Sequence, residues 1–134
     1  MTLKISLKPH ERLVVNGAVL ENTDRRAYLL IRNNVSLLRE SDIVYREDIH
    51  NTSTELYYAI MRLYIQDISY ANFAVDFARL FPRLVEEHPK KDDEDLCRQL
   101  SHHMQGKEYY RALTCCKKLS SFKLEKKRPS NELK

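Results

Sequence analysis

The stretch Arg12–Leu20, RLVVNGAVL, decides the fold of the first third of the chain. Asn16-Gly17 is the strongest two-residue hairpin signal, because both positions tolerate positive φ, so RLVV and AVLE read as paired antiparallel strands. Towards the N-terminus, Leu3, Ile5 and Leu7 alternate with Lys4, Ser6 and Lys8, the period of a half-buried strand, until Pro9 and His10 break it. Towards the C-terminus the polar turn NTDR (22–25) leads into Arg26–Arg32. That run sets Ala27, Leu29 and Ile31 on one face and Arg26, Tyr28, Leu30 and Arg32 on the other. Asn33-Asn34 is a second tight-turn candidate from which VSLLR pairs back. Five short strands with short connections predict an antiparallel meander.

From about residue 41 the apolar period changes to 3.6. Ser41-Asp42 suits a short helical turn, and Thr52 with Glu55 matches a capping box. Leu56, Ile60, Met61, Tyr64, Ile65 and Ile68 then follow helical spacing. A second helix carries the stripe Tyr70, Phe73, Ala74, Phe77, Ala78, Phe81 and Leu84, and Pro82 is expected to kink or end it. The charged HPKKDDED segment leads into a third helix through Leu96, Leu100 and Met104, which Gly106 can terminate. A fourth is expected from Lys107 to about Arg128, with Tyr109, Tyr110, Leu113, Cys116, Leu119 and Phe122 towards the core. The fold class is therefore α+β. Residues 1–48 form a small antiparallel five-stranded sheet, residues 49–128 a bundle of about four helices, and residues 129–134 a frayed tail.

With 134 residues and 43% apolar content, the chain can bury a real core. Net charge is +4, distributed unevenly: residues 1–50 carry 8 basic and 7 acidic side chains, residues 51–95 carry 5 and 9, and residues 96–134 carry 10 and 3. The N-terminus alternates instead of placing an apolar block after a charged start, so no signal peptide is expected. No run approaches the roughly 18 apolar residues of a membrane span. Cys97, Cys115 and Cys116 are an odd count with two neighbours, a poor disulfide framework, and read as reduced thiols in a cytoplasmic protein.

Catalytic chemistry finds little support. Two glycines cannot build a phosphate-cradling loop. No motif sets a nucleophile beside a base. His102 and His103 are adjacent, so on a helix they diverge by roughly 100°, whereas metal-binding pairs stand three or four residues apart. Asp92, Asp93 and Asp95 suit a solvated helix start, without the glycine that a calcium loop requires. We expect no catalytic residue, no metal and no cofactor.

The cations carry the functional question. Lys4 and Lys8 share one face of the first strand, Arg25 ends the turn before the fourth, Arg26 and Arg32 share one face of the fourth with Tyr28 between them, and Arg39 closes the fifth. Single-stranded RNA is gripped by exposed strands that combine cations for phosphates with planar side chains for stacking. The same residues could equally solvate an outer face and protect edge strands. The C-terminal set Lys117, Lys118, Lys123, Lys126, Lys127 and Arg128 exceeds what one helix dipole asks for.

The segments LKISLKPHERLVVNGAV (Leu3–Val19), DRR (Asp24–Arg26), LLRESDI (Leu37–Ile43) and KEYYRAL (Lys107–Leu113) resemble the FlbT family of bacterial flagellar regulators, over roughly residues 1–125. The resemblance implies a non-enzymatic protein that acts after transcription. It would associate with the 5′ leader of flagellin mRNA and alter translation and stability, usually as a repressor, working against a second small flagellar protein, FlaF. The alternative is a flagellar assembly factor whose helices dock flagellin or a chaperone and reach mRNA only indirectly.

ERLVVNG (11–17) and VSLLRE (35–40) are also similar to the CsrA family of mRNA-binding translational repressors. Carried over by position, the RNA contacts would be Lys8 and Arg39. That family has paired arginines where this chain has Leu7-Lys8, so one contact is missing. Its intertwined homodimer makes a homodimer an expectation here too.

Overall fold

In the computed structural model, which describes residues 2–124, Asn16 and Gly17 both adopt positive φ, 49° and 86°. They close the expected hairpin between β2 (Arg12–Val15) and β3 (Ala18–Glu21), in register from Arg12 opposite Glu21 to Val15 opposite Ala18. The remaining strands are β1 (Leu3–Leu7), β4 (Ala27–Ile31) and β5 (Leu37–Arg39). They belong to a first unit that ends at Ile43, and four helices belong to a second that begins at Val44. The α+β class holds, with strands first and helices after.

The pairing order differs from a meander. β1 pairs antiparallel with β4, while β2 sits between β3 and β5 in a separate three-stranded sheet. Asn33-Asn34 is accordingly no hairpin turn. Neither residue takes the positive φ a tight turn needs, and the chain crosses to the other sheet, where Asn16 N–H donates to the Ser36 carbonyl and Ser36 N–H to Asn16 Oδ1. Leu13 and Val14 point to opposite faces of β2 and both are fully buried, so this strand is covered on both faces as well as paired on both edges. Ile5, Leu7 and Leu13 form the core of this unit, with Val15, Leu29, Ile31 and Leu37 packed against it. Leu3, Ile5 and Leu7 lie opposite Ile31, Leu29 and Ala27, which is the face assignment expected from the alternation.

In the second unit α1 (Thr52–Tyr64) is buried through most of its length and packs against α2 (Tyr70–Glu87) and α4 (Tyr109–Lys118), while α3 (Lys91–Gln105) packs on α4. The capping box lies one position earlier than expected. Asn51 accepts from Thr54 N–H at 2.9 Å and Thr54 Oγ1 accepts from Asn51 N–H at 3.1 Å. Pro82 neither ends nor interrupts α2. The carbonyl it leaves unpaired belongs to Ala78, and both residues are exposed, so water can reach it. Asp92, Asp93 and Glu94 fill the first turn of α3, as its dipole favours. α3 ends at Gly106 with φ −85°, and the left-handed residue is Lys107 at 58°. α4 stops at Lys118, well short of Arg128, which lies outside the described residues together with Lys126, Lys127 and the tail 129–134.

A polar staple holds the segment after α4. Asp93 accepts from Ser120 N–H at 3.1 Å and Ser120 Oγ–H at 2.6 Å. Buried His88 donates through Nδ1 to the Leu84 carbonyl at 2.7 Å and meets Ser121 Oγ through Nε2 at 2.7 Å. Ser121 Oγ lies 2.9 Å from Ser53 Oγ, and the Ser121 carbonyl accepts from Asn51 Nδ2 at 2.9 Å.

Candidate nucleic-acid interface

The β1–β4 ribbon has one buried and one open face. Because Lys4 stands opposite Leu30 and Ser6 opposite Tyr28, the open face is built from Lys4, Ser6, Tyr28 and Leu30, with Lys8 and Arg26 continuing it at one end. Tyr28 is 63% exposed and Leu30 55%, two large apolar groups side by side on the same open face of β4. Lys4 Nζ lies 5.5 Å from the centroid of the Tyr28 ring, within cation–π range. Arg26 Nη1 donates to Ser6 Oγ at 2.7 Å, which aims the guanidinium across the ribbon and leaves its other N–H groups open.

The basic end is tied down by its own turns. Asn22 Nδ2 donates to the carbonyls of Lys8 at 2.9 Å, Arg25 at 2.7 Å and Leu7 at 3.3 Å, bringing the end of β1 next to the start of β4. His10, at φ 64°, donates its N–H to the Thr23 carbonyl at 2.9 Å. Lys8, Arg25 and Arg26 are thereby gathered at one end. Arg32 stands beyond the other end of β4, roughly 20 Å along an extended strand from Arg26. All four are exposed.

Charge pairing separates these residues from Arg39. Among the described residues, Lys4, Lys8, Arg25, Arg26 and Arg32 make no ion pair. Arg39 donates through Nη2 to the Ser6 carbonyl on β1 at 2.7 Å and lies 3.5 Å from Glu11 Oε2. The other oxygen of Glu11 accepts from Lys8 N–H at 2.8 Å. Glu11 therefore joins Lys8 and Arg39, the two positions singled out by the CsrA resemblance. Arg39 braces β5 to β1, and its outer side remains half-exposed.

A family model described as flagellar protein FlbT matches residues 3–127. The chain belongs to the FlbT family. A flagellum biosynthesis repressor protein FlbT and a probable one, from two strains of Caulobacter vibrioides, are each 36% identical to it over 129 residues, covering 94% of this chain and 89% of theirs. A probable flagellum biosynthesis repressor protein FlbT 1 from Bradyrhizobium diazoefficiens is 33% identical over 129 residues, covering 91% and 82%. No solved structure matches.

Elsewhere in this FlbT-family chain the chemistry is structural. Burial raises the Cys97, Cys115 and Cys116 thiols, which suppresses the reactive thiolate, and Cys116 Sγ donates to the Ser53 carbonyl at 3.6 Å. His103 Nδ1 meets Glu108 Oε1 at 2.9 Å, while the His102 and His103 rings stand 6.0 Å apart, edge to face. Among the described residues no three His, Cys, Asp or Glu side chains are grouped to hold a metal, and no helix is long and apolar enough to cross a membrane. The positioning residues Ser6, Glu11 and Asn22 escaped the sequence reading. Asn22 carried a signal, since an Asn directly after a strand is a turn former, but two of its three carbonyl partners, Leu7 and Lys8, sit 15 and 14 residues away along the chain.

Proposed function

We propose that this chain regulates flagellum biosynthesis after transcription, binding the 5′ leader of flagellin mRNA and repressing its translation and stability. The relatives named as flagellum biosynthesis repressors support the regulatory role. The RNA reading is carried by one observation: an exposed tyrosine on an open ribbon, surrounded by cations that have no carboxylate partner among the described residues. Lys4, Lys8, Arg25, Arg26 and Arg32 take phosphates, and Tyr28 offers its ring to one base. This chemistry suits a single strand, whose bases are free to stack, better than an A-form duplex, whose base faces are already occupied. A leader held on the ribbon is withheld from the ribosome.

Gel-shift titration against a flagellin leader across a salt series tests the reading. Tyr28→Ala is expected to weaken binding by about 1–3 kcal/mol, the usual worth of a base stacked on an aromatic ring. The Lys4→Ala, Arg26→Ala double variant is expected to make the salt slope shallower by about 1.4, two phosphate contacts at roughly 0.7 each. Wild-type protein that leaves the leader unbound, or variants that bind it unchanged, would overturn the proposal.

A further inference from the structure

Helix α4 has a cationic face. Ala112, Leu113, Cys115 and Cys116 are its buried residues, and it packs on α1 and α3. Tyr110, Arg111, Thr114, Lys117 and Lys118 are exposed. At 100° per residue these five share an arc of about 120°, centred opposite the buried four. Arg111 and Lys118 lie along one line of that arc and Tyr110 and Lys117 along another, each pair about 10.5 Å apart in axial rise. No acid interrupts the face, because α4 has none. Lys107, exposed at φ 58°, adds a cation just before the first turn. The helix dipole accounts for Lys117 and Lys118 in the last turn, but it disfavours Arg111 in the first. Glu108, at the N-cap, meets His103 Nδ1 at 2.9 Å and reaches Arg111 only through longer-range attraction. Among the described residues Lys107, Arg111 and Lys118 make no ion pair.

We propose that this face of α4 is a second RNA contact, one that takes the sugar–phosphate strand without reading sequence. The inference rests on the reading of the chain as an RNA binder and adds to the ribbon a surface in the second unit. Charge complementarity names the occupant. Arg111 and Lys118 stand about one Debye length apart at physiological salt, so their fields overlap on a chain of phosphates, and each contact releases condensed counterions. Tyr110, 45% exposed, lies 5.7 Å from the Tyr64 ring and sets a planar group beside the cations, the combination that single-stranded nucleic acid uses. Thr114 Oγ–H is turned back on the Tyr110 carbonyl at 3.2 Å, which leaves the face to the cations and the ring. An acidic protein segment fits less well. Protein interfaces are poor in Lys and centre on apolar anchors, and this face holds no Leu, Ile, Val or Met.

Anisotropy titration of the full chain with polyuridylate, and separately with a flagellin leader, across a salt series tests this. The Arg111→Ala, Lys118→Ala double variant is expected to bind both RNAs about tenfold more weakly at physiological salt, with the salt slope shallower by about 1.4, two phosphate contacts at roughly 0.7 each. The Arg111→Lys, Lys118→Arg variant keeps both charges and is expected to keep the wild-type slope, which excludes a helix merely disturbed by substitution. Tyr28→Ala separates the two surfaces. If the double variant binds as wild type while Tyr28→Ala binds weakly, the α4 contact is overturned and the ribbon stands; the reverse result overturns the ribbon and leaves α4. A wild type that leaves polyuridylate unbound overturns the α4 contact, and one that also leaves the leader unbound overturns the ribbon with it. Polyglutamate that competes with polyuridylate at equal charge concentration assigns the face to an acidic protein segment and overturns the proposal.

Discussion

Arg39 shows how far one residue's role depends on strand order. The sequence presents it as the cation closing the fifth strand and thus as an RNA contact. In the fold it reaches from β5 to the Ser6 carbonyl of β1 and to Glu11, a use invisible until β5 is known to pair with β2. Arg39→Ala is therefore expected to lower stability by about 1–2 kcal/mol through the lost charge-assisted bond, measured by urea denaturation. Arg26→Ala removes only an exposed bond to Ser6 Oγ and is expected to stay within about 0.5 kcal/mol of wild type. Equal stability losses for the two would contradict the division between a brace and a binding cation. The alternation of β4, by contrast, was legible in full. Period-two burial is a local property, and it placed Arg26, Tyr28, Leu30 and Arg32 away from Ala27, Leu29 and Ile31 before any partner strand was known.

Elements were legible where periodicity decided and illegible where competition did. All four helices could be read from 3.6-residue spacing, yet the N-cap of α1 shifted to Asn51 because Asn51 and Thr54 satisfy each other's backbone, leaving Thr52 and Glu55 inside the helix. Helical spacing reads Phe73, Phe77 and Phe81 as core, yet of these only Phe73 is buried, while Phe77 and Phe81 are half-buried and Tyr70 and Ala78 on the same stripe are exposed. A helix apolar on two sides does not announce which side is buried. The staple at the start of α3 was illegible as well, since its partners come from α3 and from beyond α4. The hydrogen bond from Ser120 Oγ holds the Asp93 carboxyl below the usual carboxylate range, against the opposing effect of burial. A depressed carboxylate stabilises the fold above its unfolded value, near pH 4, and that contribution is lost as pH falls through the lower folded value. Asp93→Asn is expected to be less stable than wild type at pH 7, with the gap narrowing on acidification, as followed by thermal melts across pH. A gap independent of pH would contradict the assignment.

For the whole molecule, net charge says less than its placement. The first fifty residues are nearly balanced, with 8 basic and 7 acidic side chains, so bulk attraction to nucleic acid is weak there. The fold sorts those charges. Glu11 and Glu21 are taken up by Arg39 and Arg12, while Lys4, Arg26 and their neighbours stay on the open face of the ribbon. Family membership was legible from ordered motifs, because these survive where pairing order cannot be deduced. The most direct test of an RNA-facing ribbon is ultraviolet crosslinking in cells, with mapping of ribonucleotide adducts to single residues. The account predicts adducts on Tyr28 and its β1–β4 neighbours, carrying flagellin leader sequence. Adducts confined to the helices, or none on the protein at all, would contradict it.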